Sequence, residues 1–133
     1  MSQEKVEIRN QAVRRFVAAF EDDDDSFRNA LHPEIEWFPF EDNHTPSYGI
    51  DGAMRIRNHW LDAWDDMQAN VEGVADHGES VVLSLHVTGR GKGSGVEVDV
   101  RLYLHFKVRD DRVVYVFEYE DKAAALEAAG LSE

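Results

Sequence analysis

Glu118 and Glu120 stand in the last long apolar stretch of this chain, Val113-Val114-Tyr115-Val116-Phe117-Glu118-Tyr119-Glu120-Asp121. A carboxyl group set among apolar neighbours loses solvation, which raises its pKa and suits it to general acid or base work. Whether Glu118 has such neighbours depends on the hairpin Arg109-Asp110-Asp111-Arg112. A two-residue turn pairs Arg109 with Arg112. Leu102, Leu104 and Phe106 then share a face with Tyr119, Phe117 and Tyr115, and Glu118 lies outside. A turn with Asp111 bulged in left-handed conformation pairs Val108 with Arg112. Leu104 then faces Val116, and Leu102 faces Glu118 on the covered side. A slip of one residue flips every side chain. Aspartate tolerates the left-handed region, so both registers are open.

Other chemistries find less support. The six histidines show no metal-ligand spacing: His59 falls in a helical pattern, His86 and His105 in strand patterns, and His44 in a loop. His44 and His59 could reach the rim of a pocket. The run Glu21-Asp22-Asp23-Asp24-Asp25 lacks the alternation and the glycine of an EF-hand loop, and reads as a solvated, helix-capping turn. No serine stands in a nucleophile elbow. Gly89-Arg90-Gly91-Lys92-Gly93-Ser94-Gly95 has strands on both sides, whereas a phosphate loop must open directly into a helix; it reads as a hairpin tip. There is no cysteine, which excludes disulfides, thiolate metal sites and cysteine nucleophiles.

The 133 residues suit one domain with one core, and 43% hydrophobic content is ordinary for a globular protein. A net charge of −13 without a basic cluster argues against nucleic acid and anionic lipid as partners. No apolar run approaches the roughly 20 residues of a membrane span. The opening MSQEKVEIRN does not read as a secretory signal, so a cytoplasmic location is expected.

The elements that must position Glu118 follow from periodicity. Val6, Val13, Phe16, Val17 and Phe20 predict a helix from about Glu4 to Phe20. Asp25 or Ser26 is expected to cap a short second helix carrying Phe27, Ala30 and Leu31, which Pro33 stops. Glu34 to Phe38 reads as a strand, and Pro39 to Gly49 as a long loop. Asp51 should cap a third helix to about Met67, with Ile56, Trp60, Ala63, Trp64 and Met67 on its apolar face. The period then changes to two. Strands are expected at about Ala69 to Ala75, Val81 to Val87, Val96 to Val108 and Val113 to Tyr119. A last helix, Lys122 to Ala129, should end at Gly130. The expected class is α+β: a curved antiparallel sheet wrapped into a cone by three N-terminal helices, with a short C-terminal helix.

The order of several strings resembles the nuclear transport factor 2-like superfamily, in its SnoaL-like and ketosteroid isomerase-like branch. They are Arg15-Phe16-Val17-Ala18-Ala19-Phe20, Ala30-Leu31-His32-Pro33-Glu34-Ile35-Glu36-Trp37, Tyr48-Gly49-Ile50-Asp51-Gly52, Val108-Arg109-Asp110-Asp111-Arg112-Val113-Val114 and Asp121-Lys122-Ala123-Ala124-Ala125-Leu126-Glu127-Ala128-Ala129-Gly130-Leu131. The resemblance covers nearly the whole chain. It implies a cone, usually dimeric, that hosts isomerases, cyclases, dehydratases, epoxide hydrolases and non-enzymatic binding modules, so fold alone fixes no chemistry.

Residue by residue, the resemblance is informative for what is missing. Phe16 falls where ketosteroid isomerases carry a helix-one tyrosine, Phe38 near their base, and Leu104 at their second oxyanion-hole acid. A phenylalanine neither takes a proton nor stabilises an enolate. The SnoaL-type cyclases resemble the chain more closely. Their histidine would also fall near Leu104 and their acid near Glu118, where a carboxylate is kept. His105 is one residue off and should point to the other face. The resemblance thus implies a pocket lined by Phe16, Trp37, Phe38, Phe40, Trp60, Trp64, Leu102, Leu104 and Phe106, with His44 and Tyr48 on the neighbouring loop and Glu118 as the catalytic candidate. Many of these aromatics are equally suited to plain core. The expected ligand is a small apolar or aromatic molecule, bound without cofactor or metal. Two expectations follow: a bulge turns Glu118 inward, and a homodimer forms through Tyr103, His105, Tyr115, Phe117 and Tyr119 beside Arg101 and Lys107.

Overall fold

A computed structural model describes residues 8–40 and 45–131. The chain runs α1 (Gln11–Ala19), α2 (Asp24–Asn29), β1 (Leu31–Phe38), β2 (Ser47–Tyr48), α3 (Gly49–Ala63), β3 (Trp64–His77), β4 (Ser80–Gly91), β5 (Glu97–Arg109), β6 (Arg112–Tyr119) and α4 (Lys122–Ala128). One six-stranded sheet has the order β2-β1-β6-β5-β4-β3. Its pairs are antiparallel except β1 with β6, which is parallel. The α+β cone is therefore present. Among the described residues no helix is long and apolar enough to cross a membrane.

Helix boundaries follow capping more than periodicity. Asn10 accepts from the Val13 N–H at 3.1 Å, so α1 begins at Gln11 and not near Glu4; residues 4–7 lie outside the described residues. Asp23, not Asp25 or Ser26, caps α2, accepting from Ser26 N–H at 2.7 Å. Pro33 does not end α2. It sits inside β1, in the irregular stretch of pairing with β6 between Leu31 and Glu36, where a missing N–H is tolerated. Asp51 lies in the first turn of α3 and does not cap it.

The largest departure lies at the end of α3. Trp60, Trp64 and Met67 keep helical spacing, yet Trp64 is already extended (φ −128°, ψ 140°) and opens β3. Asp66 takes a positive φ of 52°, and β3 slips by one residue against β4 between Asp65 and Gln68. Such a bulge re-aims side chains, which is how Met67 reaches the concave side from a strand. A second slip lies between Val71 and Gly73. The C-terminus of α4 is as expected: Gly130 (φ 77°) donates to Glu127 O, and Leu131 N–H donates to Leu126 O at 2.8 Å, the Schellman arrangement.

The concave face holds the core. Phe16 on α1 lies 5.0 Å from Phe27, 5.4 Å from Trp37 and 5.2 Å from Phe106, centroid to centroid. Val81, Leu83, Leu85 and Val87 face Phe106, Leu104, Leu102 and Val100 across β4 and β5. All are buried except Val100, at the open end. On the convex face α4 covers Val82 through Ala125, Leu126 and Ala129.

Candidate functional site

Glu118 is turned inward by a device different from either hairpin register. The turn is the two-residue one: Arg109 pairs with Arg112, and Asp110 and Asp111 both have positive φ, 53° and 61°. That register alone would place Glu118 outside. One residue pair further in, the pairing shifts. Val108 faces Val113, but Lys107 faces Tyr115, which leaves Val114 as the extra residue. Val113 and Val116 are three apart and both fully buried. Beyond this bulge Leu104, not Leu102, faces Glu118.

The Glu118 side chain is 3% exposed. Its Oε2 accepts from Trp37 Nε1–H, and its Oε1 accepts from the Phe40 backbone N–H at 3.3 Å. Trp37 and Phe40 come from β1 and the residues after it, so the parallel β1–β6 pairing positions both donors. N–H donors suit an ionised carboxylate, whereas burial opposes ionisation.

In front of Glu118 lies a cavity of about 280 Å³. Phe16, Val17, Ala18, Phe20 and Glu21 close it from α1 and the turn after it, and Trp37 from β1. Trp60 of α3 with Met67 and Ala69 of β3 form a second wall. Leu85, Val87, Leu102, Leu104 and Glu118 form the sheet wall. The first turn of the rim is held by Arg57 of α3, which is 2% exposed. Its Nε donates to Phe20 O at 2.9 Å, its Nη2 to Asp22 O and its Nη1 to Asp24, and the guanidinium lies 5.3 Å from the Phe27 ring centroid.

Of the residues expected around the pocket, Phe16, Trp37, Trp60, Leu102, Leu104 and Glu118 meet there. Phe106 is fully buried behind the cavity. Phe40 contributes its N–H to Glu118 and packs its ring 6.3 Å from Trp60. Trp64 packs 6.5 Å from Trp60 without reaching the wall. Phe38 lies on the convex face, stacked 5.2 Å from Phe117, because strand alternation from Trp37 sends it there. Tyr48 is 64% exposed in β2, and His44 lies outside the described residues. The expected pocket omitted Val17, Phe20, Glu21 and Met67: periodicity marks Val17, Phe20 and Met67 as apolar helix positions, but not that α1 ends at the cavity mouth or that the β3 bulge re-aims Met67.

No histidine among the described residues joins Glu118 in the cavity wall. His105 faces the convex side, paired with Phe117. It is 1% exposed, with Nε2 3.1 Å from Ser80 Oγ and Nδ1 without a hydrogen-bond partner. Desolvation, helped by Lys107, pushes its pKa down to about 4. Around it Phe38, Tyr115, Phe117 and Tyr119 form a ladder, with Phe117 and Tyr119 4.4 Å apart and Lys107 Nζ 4.6 Å from the Tyr115 ring centroid. Burial pushes the Tyr115 and Tyr119 hydroxyls up. No group of three or more His, Asp or Glu side chains among the described residues could hold a metal.

Residues 13–116 match the family model of the SnoaL-like domain. No curated protein matches the chain. Solved structures share the fold at low identity. A protein from Catenulispora acidiphila DSM 44928 with a ketosteroid isomerase-like fold, in complex with trimethylamine, is 12% identical, with 91% of this chain and 93% of that one covered and a TM-score of 0.73. A protein described as a SnoaL-like polyketide cyclase, from Jannaschia Sp. CCS1, is 21% identical over 99% and 100% of the two chains, with a TM-score of 0.70. TerC co-crystallised with polyporic acid is 18% identical over 90% and 95%, with a TM-score of 0.70.

Proposed function

The chain belongs to the SnoaL-like domain family, and on that premise we propose that its cone binds a small, largely apolar or aromatic molecule against which Glu118 works as the acid–base group. The observation that supports this most is the placement of one buried carboxylate, held by two N–H donors, in the wall of an otherwise apolar cavity of about 280 Å³. Pockets of this kind, apolar with a few placed polar groups, are where small ligands bind. Two of the similar folds were crystallised with small molecules, trimethylamine and polyporic acid. With a C–H acid in the cavity, Glu118 takes a proton from carbon, the step common to isomerase, cyclase and dehydratase chemistry; return of that proton to the same or a neighbouring carbon is exchange or isomerisation.

The test uses 2-tetralone, a small aromatic ketone with acidic C–H bonds. Saturable quenching of tryptophan fluorescence is expected, because Trp37 and Trp60 line the cavity. Deuterium from solvent should enter the bound ketone faster than in buffer, and Glu118→Gln should abolish the excess while preserving binding. Saturable binding with no excess exchange would leave a binding module without catalysis. That second reading has its own support: Glu21 at the rim is the only other ionisable side chain among the described residues lining the cavity.

The convex aromatic ladder supports a homodimer under either reading. Tyr115, Phe117 and Tyr119 are only half buried in the single chain, beside the cations Arg101 and Lys107. Aromatics mixed with cations are typical of interfaces. Sedimentation at micromolar concentration should give a dimer; a monomer at all concentrations would refute it.

A further inference from the structure

We propose that Arg57 is a positioning residue for the entrance of the cavity: by fixing the turn between α1 and α2, it sets how readily a ligand enters and leaves. This rests on reading the cavity as a small-molecule site and adds the control of access to it. Most of the described lining residues are buried. Those that reach solvent are Val17, Ala18, Phe20 and Glu21 at the end of α1, and Met67 and Ala69 in β3. The cavity therefore opens between these two stretches, which form the jambs of its mouth. Both depend on α3. β3 continues directly from it at Trp64, and the α1–α2 turn is tied to it by the Arg57 side chain.

The other backbone hydrogen bonds of the turn run along the chain. Phe20 N–H donates to Val17 O and Asp22 N–H to Ala19 O, both back into α1, and Phe27 N–H reaches Asp23 O from within α2. Among the described residues, every hydrogen bond between α3 and residues 20–24 is made by Arg57: Nε to Phe20 O at 2.9 Å, Nη2 to Asp22 O and Nη1 to Asp24. The turn also carries the acid run Glu21 to Asp25. Like charges in such a run repel one another and favour a looser turn. Asp23 caps α2 and Asp24 meets Arg57, so the guanidinium is both fork and counter-charge. A buried ion pair is weak evidence for stability, because an apolar side chain of similar volume often serves as well. What the planar fork supplies, and an apolar chain does not, is a fixed geometry for two carbonyls. That geometry places Phe20, whose ring also lies 5.6 Å from Phe27, and Glu21 at the mouth.

The test is stopped-flow quenching of tryptophan fluorescence by 2-tetralone on the full chain. Arg57→Lys keeps the charge and loses the fork. It should raise the association and dissociation rates together by roughly threefold or more, with Kd moved by less than about twofold. Arg57→Met, which fills the volume without polar contacts, should raise both rates at least as much. Asp24→Asn, at an exposed position where substitution does not threaten folding, should move both rates in the same direction by a smaller factor. If neither Arg57 variant folds, Asp24→Asn decides. A destabilised Arg57→Lys with wild-type rates shows a residue that serves the fold alone, and overturns the proposal. So does a Kd that weakens through dissociation only, since that is damage to the pocket and not a wider mouth. Either result leaves the small-molecule site standing. Failure of 2-tetralone to bind the wild type at millimolar concentration removes the site and its entrance together.

Discussion

Trp37 Nε1 donates to Glu118 Oε2 between side chains 81 residues apart in sequence, on the two strands of the sheet's parallel pair. An indole that is 2% exposed and a carboxylate that is 3% exposed solve each other's desolvation. Trp37→Phe leaves the carboxylate short of a donor and should cost about 1–3 kcal/mol in urea denaturation. Glu118→Leu should cost less on top of Trp37→Phe than in the wild type, giving a coupling of about 1 kcal/mol or more in a double-mutant cycle. Additive costs would mean that the pair does not interact.

Arg57 should be the most sensitive charged position. Arg57→Ala strands the carbonyls of Phe20 and Asp22 at the rim, with an expected loss of about 2–4 kcal/mol. Arg57→Lys should recover less than half of this, because one ammonium cannot reproduce the forked contacts. A neutral outcome for either substitution in thermal unfolding would show that the rim does not depend on this residue.

The Asp110-Asp111 turn puts two non-glycine residues at positive φ. Replacing the pair by Asn-Gly should raise stability by about 0.5–1 kcal/mol through the turn's backbone preference. The lost ion pair between Arg15 and Asp111 at 2.9 Å is largely exposed and worth little. Asp111→Val should instead destabilise by about 1–2 kcal/mol, since a β-branched residue resists that backbone. Urea midpoints of the two variants moving in the same direction would contradict this.

His105 ties stability to pH. Its pKa falls from 6.5 unfolded to about 4 folded, so between these values the unfolded chain binds more protons. The neutral buried ring is fully favourable above about pH 6.5, and its contribution declines as pH falls toward 4, by on the order of 2–3 kcal/mol in total. Ser80, Tyr115 and Lys107 are its partners, and none offers a negative charge. His105→Phe should flatten this limb of a plot of urea midpoint against pH. An unchanged acid limb would assign it to the carboxylates.

Ketosteroid isomerisation should not occur at an enzymatic rate. It needs donors for a developing oxyanion, and losing one donor costs about 3 kcal/mol. Phe16 and Leu104, the positions at which the resemblance would put those donors, line the cavity with apolar side chains, and Phe38, where it would put the base, is on the convex face. Turnover of a Δ5-ketosteroid that disappears in Glu118→Gln would overturn this.

The fold was legible because alternation in β4, β5 and β6 is long and clean, and because the strings around Arg15–Phe20 and Ala30–Trp37 occur in family order. Periodicity put Phe16 and Trp60 on apolar helix faces and Leu102 and Leu104 on an apolar strand face; that these line one cavity with Trp37 was implied only by the family resemblance. Residues governed by bulges were not legible. Met67 is indistinguishable from a helical position until Asp66 breaks the period, and nothing in Val113-Val114-Tyr115 marks Val114 as the unpaired residue. Asp110-Asp111 did carry a signal, but for the turn rather than for the side on which Glu118 would fall.

Val114 fixes which chemistry points inward, since every side chain of β6 beyond it takes its parity from that one residue. Excising it would swap the two faces of the strand in a single step. Tyr115, Phe117 and Tyr119 would enter the cone, and Glu118 would be delivered to the outer surface. The proposed acid–base group and the proposed self-association face therefore lie on one ribbon in antiphase. An indel of one codon can exchange them, whereas no single substitution can.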